Sequence, residues 1–467
     1  MSDLRALAEA VGIAPTWQDF RHEWQEVSDD SLRTILGALG FSAGTDNEVA
    51  ESRAALAAES SGLAQLITAQ IDAPTFLTIA PCAYELILED GTRHTGRLEI
   101  AEGGSTLPPI GRIGYHTITA GGSRATIAVA PERGLTVADM GRPWGLAVQL
   151  YALRRKGDGG LGDFEALRQL MHPAKRHGVD SIAISPVHAQ FSADPDRFSP
   201  YSPSSRINLN VLHAAVDMPS SPENDALEAA ELVDWGTVSR RRLAALRAEF
   251  DALSADELAN LAAFRAESGE TLETHACFEA LHAVQFGQHG NWHWRTWPEA
   301  LRHPASPAVA AFARANAKEV AYHAFLQWRA DQGLAAAQKA ARDAGMKIGL
   351  IADLAVGADS GGSHCWARQD QILGSLNIGA PPDLLNGRGQ NWGLAAFSPT
   401  GLRQNGFAAF LEMLRAAMKH SGGVRIDHAL GLRRLWVIPD GFDSKHGAYL
   451  AFPQTDLLRL IALESYR

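Results

Sequence analysis

Two aspartates stand at the ends of apolar runs, Asp353 in "LIADLA" and Asp427 in "VRIDHA", and Arg425 precedes the second by two residues. In a strand, positions i and i+2 point to the same side, so Arg425 and Asp427 share a face. Val424, Ile426 and Leu430 read as a buried strand and its exit, a setting where a bare carboxylate is costly. An arginine beside it supplies the charge and hydrogen bonds that keep a carboxylate ionised. An ionised, oriented and partly desolvated carboxylate suits a nucleophile. The pattern alone allows a glycosidic nucleophile, a metal ligand or an aldolase-like site. Either aspartate by itself reads as a strand-end cap. Both together, with Arg425, read as one catalytic mouth.

Positioning such a mouth requires strands whose ends converge. "GLAVQL" (145–150), "DSIAIS" (180–185), "KIGLIADLAV" (347–356) and "GGVRIDH" (422–428) are short apolar strands with helix-like stretches before or between them. This alternation predicts parallel β/α construction, in which side chains at the carboxyl ends of the strands surround the site. Residues 222–345, rich in Ala, Glu, Arg and Leu, predict a mostly helical insertion. Upstream the pattern differs. Leu4, Leu7 and Val11, then Leu32, Ile35 and Leu36, recur at helical spacing, and residues 1–40 read as helical. From residue 75 the period shortens, with hairpin signals at Asp90-Gly91 and Gly121-Gly122. The expected domains are a helical segment (1–60), a β-sandwich-like domain (61–138) and a β/α domain from 139 with its insertion at about 215–318.

At 467 residues and 46% hydrophobic, the chain can bury a large core, and its net charge of −11 argues against a nucleic-acid binder. Cys82, Cys277 and Cys365 lie far apart, with no C-x-x-C, and read as reduced thiols. "GDGGLGD" (157–163) lacks the lysine and spacing of a phosphate loop. His289 and His293, at i and i+4 in "HGNWHW", could clip a metal on a helix, but no third ligand is evident. Trp292, Trp294 and Trp297 around them point to core packing. The N-terminus has no apolar signal region, and no uninterrupted run reaches about 18 apolar residues. The expectation is a cytoplasmic protein with no metal, no cofactor and no membrane partner.

Longer blocks carry more information: "RPWGLAVQLYALR…GLGDF" (142–164), "SPYSPSSRINLN" (199–210), "IADLAVGADSGGSHCW" (351–366), "GAPPDLLNGRGQNWGL" (379–394) and "VRIDHALGLRRLWVIP" (424–439). In these blocks and their order the sequence resembles the 4-α-glucanotransferases, the amylomaltases or disproportionating enzymes of the α-amylase clan. The helical start and β-module resemble the longer, bacterial form, so the resemblance covers essentially the whole chain. It implies a (β/α)₈ TIM barrel, with maltooligosaccharides and other α-1,4-glucans as substrates. It further implies transfer of glucan segments through a covalent glycosyl-enzyme.

Carried over by position, Asp427 matches the nucleophile and Arg425 its charge partner. His428 and Asp353 match residues that hydrogen-bond the sugar beside the scissile bond. Ser199 and Tyr201 match donor-side contacts, with the Tyr201 ring offering a stacking surface. Asp383 and Trp392 fall in the 379–394 loop, read as a cover over the acceptor side with Trp392 packed into it. The Asn-His pair of ordinary amylases is replaced by Val356-Gly357. The family's acid/base glutamate belongs to a "GEDLG"-like block that this sequence does not contain, and Glu464 in "LLRLIALESYR" is no substitute for it. The expectation is a partial barrel of about four strands, incomplete and inactive as given. The other reading is a short protein that binds maltodextrin without turnover.

Overall fold

A computed structural model of the chain describes residues 3–58 and 62–467. These form two compact units, one of residues 140–369 and 415–427, the other of residues 1–139, 370–414 and 428–467.

The first of these units is built on four parallel strands: β1 (Gly145–Val148), β2 (Ser181–Ile184), β3 (Gly349–Leu354) and β4 (Gly423–Ile426). Their spatial order is their chain order. Helix α1 (Phe164–Arg176) forms the crossover from β1 to β2. Asp163 caps its first turn by accepting the Ala166 N–H, and it buries Phe164, Leu167 and Met171. Residues 222–343 supply five α-helices before β3. Two of them are long, α2 (Ala255–His289) and α3 (Ala317–Asp343). The apolar side chains of α1 and α3, among them Phe325, Leu326 and Ala330, pack with Ile182, Ile184 and Leu350 of the strands. Each large side chain removed from water there contributes ~1.5–3 kcal/mol, and the shared core fixes the strand ends against the helices.

Close approach sets the start of β4. A Cβ on Gly422 would lie 1.8 Å from the Ile348 carbonyl oxygen, so no other residue fits without moving the backbone. Contrary to the expectation of a buried strand, Val424 and Ile426 are only half-buried, and Leu430 is 73% exposed. For Val424 and Ile426 the cause is topological: among the described residues β4 pairs with β3 alone and is an edge of this sheet.

The other unit joins three regions of the chain. Its amino-terminal part holds helices Asp3–Ala10, Asp29–Ala38 and Asp46–Ala58, but residues 1–40 are not helical throughout. Thr16–Gln18 and Trp24–Glu26 pair as an antiparallel hairpin. Asp19 closes its loop by accepting the N–H groups of Arg21 and Glu23. Both sequence-read hairpins form, Ala83–Ile87 with Arg93–Arg97 and Gly114–Ala120 with Ser123–Ala130. They belong to a five-stranded sheet that shares an apolar core with a three-stranded one, where Leu86, Ile118 and Ile127 meet Leu77 and Leu107. Further along, Ile372–Ala380, Gln390–Phe397, Arg434–Pro439 and Ala448–Ala451 pair antiparallel. The expected 379–394 loop is therefore mostly a hairpin, with residues 381–389 as its connection.

Candidate active site

The register of β3 and β4 pairs Asp353 with Arg425. Paired residues on neighbouring strands face the same side, and Asp427, two residues beyond Arg425, joins them. The Arg425 guanidinium spans both acids. Nη1 donates to Asp353 Oδ1, and Nη2 donates to Asp427 Oδ1 at 2.9 Å. Tyr201 Oη donates to the other Asp353 oxygen at 2.9 Å, so Asp353 is engaged on both sides. The side chain of Asp353 is 7% exposed, against 27% for Asp427. Asp353 is thus the anchored acid and Asp427 the accessible one.

The ionic character of the group follows from these contacts. Arg425 is pushed above its ordinary value, first by its hydrogen bond to Asp353 and further by the charges of Asp353 and Asp427. Tyr201 is also raised, first by burial and then by donating to the Asp353 carboxylate. The phenol therefore stays a donor at neutral pH. Arg425, Tyr201 and Asp353 open onto a cleft of about 690 Å³, whose walls include Val148, Gln149, Tyr151 and Pro200.

The backbone around the cluster is fixed by groups that sequence reasoning did not single out. Buried His188 accepts the Ala355 N–H at Nε2, 3.2 Å away, directly after β3. Buried Arg206 donates to the carbonyls of Ala355 and Val356. Arg197 pairs with Asp194 and Asp359 and lies over the Trp292 ring, 3.5 Å from its centroid. The spacing of Asp194 and Arg197 is the only local signal of that junction, and Asp359 is 162 residues from Arg197 in sequence.

The remaining sequence-predicted residues are placed differently. Ser199 is exposed; its carbonyl accepts from Gln190 and from the Ser202 N–H, and its hydroxyl makes none of the contacts of the carboxylate cluster. His428 adopts a left-handed conformation (φ 50°, ψ 54°), uncommon outside glycine, at the turn after Asp427. Its ring meets that of Trp392 edge-on, with centroids 5.3 Å apart. Trp392 lies in the strand Gln390–Phe397 and is only half-buried, not packed into a loop. Asp383 stabilises its own turn, accepting the N–H groups of Leu385 and Asn386. Glu464 is buried in helix Gln454–Tyr466, where Oε1 accepts from Tyr115 Oη at 2.5 Å.

His289 and His293 do not share a helix. Gly290, left-handed at φ 69°, ends α2 directly after His289. Trp294 and Trp297 are buried as core residues. Among the described residues no group of three or more His, Cys, Asp or Glu could hold a metal ion, and no helix is long and apolar enough to cross a membrane. Cys82, Cys277 and Cys365 are free thiols.

An arginine bridging two carboxylates at parallel strand ends, with Asp353 and Arg425 lining a cleft, is a candidate catalytic site on a mixed α/β fold. Comparison with known proteins specifies the family. The family model described as 4-alpha-glucanotransferase (Glyco_hydro_77) matches residues 148–467. A 4-alpha-glucanotransferase of Mycobacterium tuberculosis is 33% identical over 512 residues, covering 99% of this chain and 70% of the relative. One from Haemophilus influenzae is 32% identical over 398 residues, covering 78% and 56%. The crystal structure of amylomaltase from Corynebacterium glutamicum superposes with a TM-score of 0.80 at 27% identity, covering 99% of this chain and 70% of that one. The chain belongs to the 4-alpha-glucanotransferase family, glycosyltransferases acting on α-1,4-glucans.

Proposed function

We propose that the chain supplies the nucleophile, Asp427, for moving α-1,4-glucan segments between maltodextrins by a retaining double displacement. The observation that carries this reading is the Arg425 guanidinium shared between anchored Asp353 and accessible Asp427. A carboxylate held on one oxygen by a cation is oriented and keeps its other oxygen for attack. In the first step that oxygen bonds to the anomeric carbon as the glycosidic C–O bond breaks, and the acid/base glutamate that the family resemblance implies, whose block is not in these 467 residues, protonates the departing sugar oxygen. In the second, the 4-hydroxyl of an acceptor glucan displaces the carboxylate and gives up its proton to the same glutamate.

Asp353 and His428 hold the hydroxyls of the sugar at the reacting bond. Tyr201 stacks on the donor chain with Ser199 beside it, while Asp383 and Trp392 serve the acceptor side. The engagement of Glu464 with Tyr115 supports a packing role for that residue and not an acid/base one. The four parallel strands are consistent with a (β/α)₈ barrel architecture, and a cytoplasmic location fits a maltodextrin substrate.

Asp427→Asn, made in the chain extended through the acid/base block, tests the reading. The amide cannot form the ester, so disproportionation of maltotriose should fall by at least the ~10⁴-fold expected on losing an essential catalytic group, while maltodextrin binding persists. Near-wild-type production of longer glucans would assign the nucleophile elsewhere.

A further inference from the structure

Glu279 sits on α2, in the helical run to which the catalytic reading gives no task, and it is 2% exposed. Its Oε2 accepts the N–H of Ser192 at 3.0 Å, and its Oε1 has no hydrogen-bond partner. A buried carboxyl so sparsely satisfied is destabilising unless the one bond it makes holds something in place. What it holds is the start of the segment 190–204. Phe191, next to Ser192, lies against the ring of His282, one helical turn from Glu279, with centroids 5.1 Å apart. The Phe191–Ser192 corner is therefore seated on one face of α2.

From that corner the segment runs to the catalytic cluster. Gln190 Nε2 donates to the Ser199 carbonyl at 3.1 Å. Arg197 ties the middle to Asp359, and Tyr201 reaches Asp353 at the far end. Beyond Tyr201, Pro203 and Ser204 are held too, by the N–H groups of Asp359, Ser363 and His364, and Glu279 is the anchor on the Ser192 side.

We propose that Glu279 is a positioning residue for glucan binding: it holds the Phe191–Ser192 corner on α2 and so sets Tyr201 against Asp353. The proposal rests on the reading of Tyr201 as a glucan contact. Burial pushes Glu279 up to about 7, which makes the neutral amide of glutamine a close stand-in that still accepts from Ser192.

The test uses the 467-residue chain and three variants, Glu279→Ala, Glu279→Gln and Tyr201→Ala. Calorimetry gives the Kd for maltoheptaose, hydrogen exchange reports on residues 190–204, and a melting curve reports global stability. Glu279→Ala should weaken binding about tenfold, the size of one lost hydrogen bond. It should also speed exchange in 190–204 while leaving β3 protected, and Glu279→Gln should restore both. Should Glu279→Ala fail to fold, Glu279→Asp, one methylene short of Ser192, carries the same comparison. An unchanged Kd in Glu279→Ala beside a weakened Tyr201→Ala overturns the proposal alone. An unchanged Kd in Tyr201→Ala overturns the glucan-contact reading and the proposal with it. A Glu279→Gln variant as weak as Glu279→Ala also overturns the proposal.

Discussion

Mild acid should destabilise the unit that carries the catalytic cluster, because its interior keeps several histidines neutral. His188, His275 and His323 are held at about 3 and His213 at about 4, in each case first by burial. In the unfolded chain each would protonate near 6.5. Between these values the folded state binds fewer protons than the unfolded one. The contribution is therefore fully present above pH 6.5 and is lost as the pH falls toward the folded values. At pH 5.5 each imidazole costs on the order of 1 kcal/mol, so the four together cost several. Glu279 has the opposite sign. Its folded value of about 7 exceeds the unfolded 4.5, so acidification from pH 7 to 5.5 returns ~2 kcal/mol. Buried His282 and His364 are lowered in the same direction, so the histidine loss outweighs the Glu279 gain and is a large part of the ~5–15 kcal/mol typical of a folded domain. His188 links this to the site through its bond from Ala355, two residues after Asp353. Urea unfolding at pH 7.5, 6.5 and 5.5, followed by the emission of buried Trp294, Trp297 and Trp366, should show the midpoint falling on the order of 1 M. His188→Gln keeps an acceptor for Ala355 without titrating and should recover part of the histidine contribution. A midpoint that stays flat from pH 7.5 to 5.5 would refute the burial argument.

Three further outcomes are open to direct measurement, with activity read in the chain extended through the acid/base block. Tyr201→Phe removes the donor to Asp353 and should lower kcat/KM for maltotriose about tenfold with little change in melting temperature, since charge-assisted hydrogen bonds contribute about 1.5–3 kcal/mol; a variant within twofold of wild type would deny the contact a role. Gly422→Ala drives a Cβ into the Ile348 carbonyl and should destabilise by more than ~3 kcal/mol in denaturant unfolding, whereas Gly387→Ala, whose Cβ meets nothing within 4 Å, should be nearly neutral. Trp392→Ala should shift the partition of the glycosyl-enzyme from acceptor sugar toward water, read as more reducing ends per transfer; an unchanged ratio would remove Trp392 from the acceptor side.

The parts legible in the sequence were those written in local pattern. Runs around 145–150, 180–185, 347–356 and 422–428 are short and apolar, and each contains one of the four parallel strands. Turn chemistry at Asp90-Gly91 and Gly121-Gly122 located two hairpins for the same reason. The i, i+2 spacing of Arg425 and Asp427 put both on one face, and the guanidinium does bridge to Asp427. What local pattern does not encode is sheet neighbourhood. Val424 and Ile426 are only half-buried because β4 has a single partner, a property of topology and not of composition. The prolines of "GAPPD" suggested a loop around Trp392, but the residues on both sides of 381–389 pair with each other across the connection. Arg197, His188 and Glu279 were missed because their partners Asp359, Ala355 and Ser192 lie 162, 167 and 87 residues away.

Helix α2 is 35 residues long, yet it is not one cooperative helix. Gly269, at φ 63° and ψ −150°, interrupts it in a conformation essentially restricted to glycine. Helix propagation depends on each residue extending an existing ladder, so the break separates two nucleation events. Fraying that begins at Ser254 has no backbone route past residue 269. Only side chains join the two halves, chiefly the Arg265–Glu273 ion pair, so opening of residues 255–268 should be only weakly coupled to 270–289, the half that bears Glu279 and His282. Amide exchange in the two halves should follow separate opening free energies, with the second half kept closed while the first breathes.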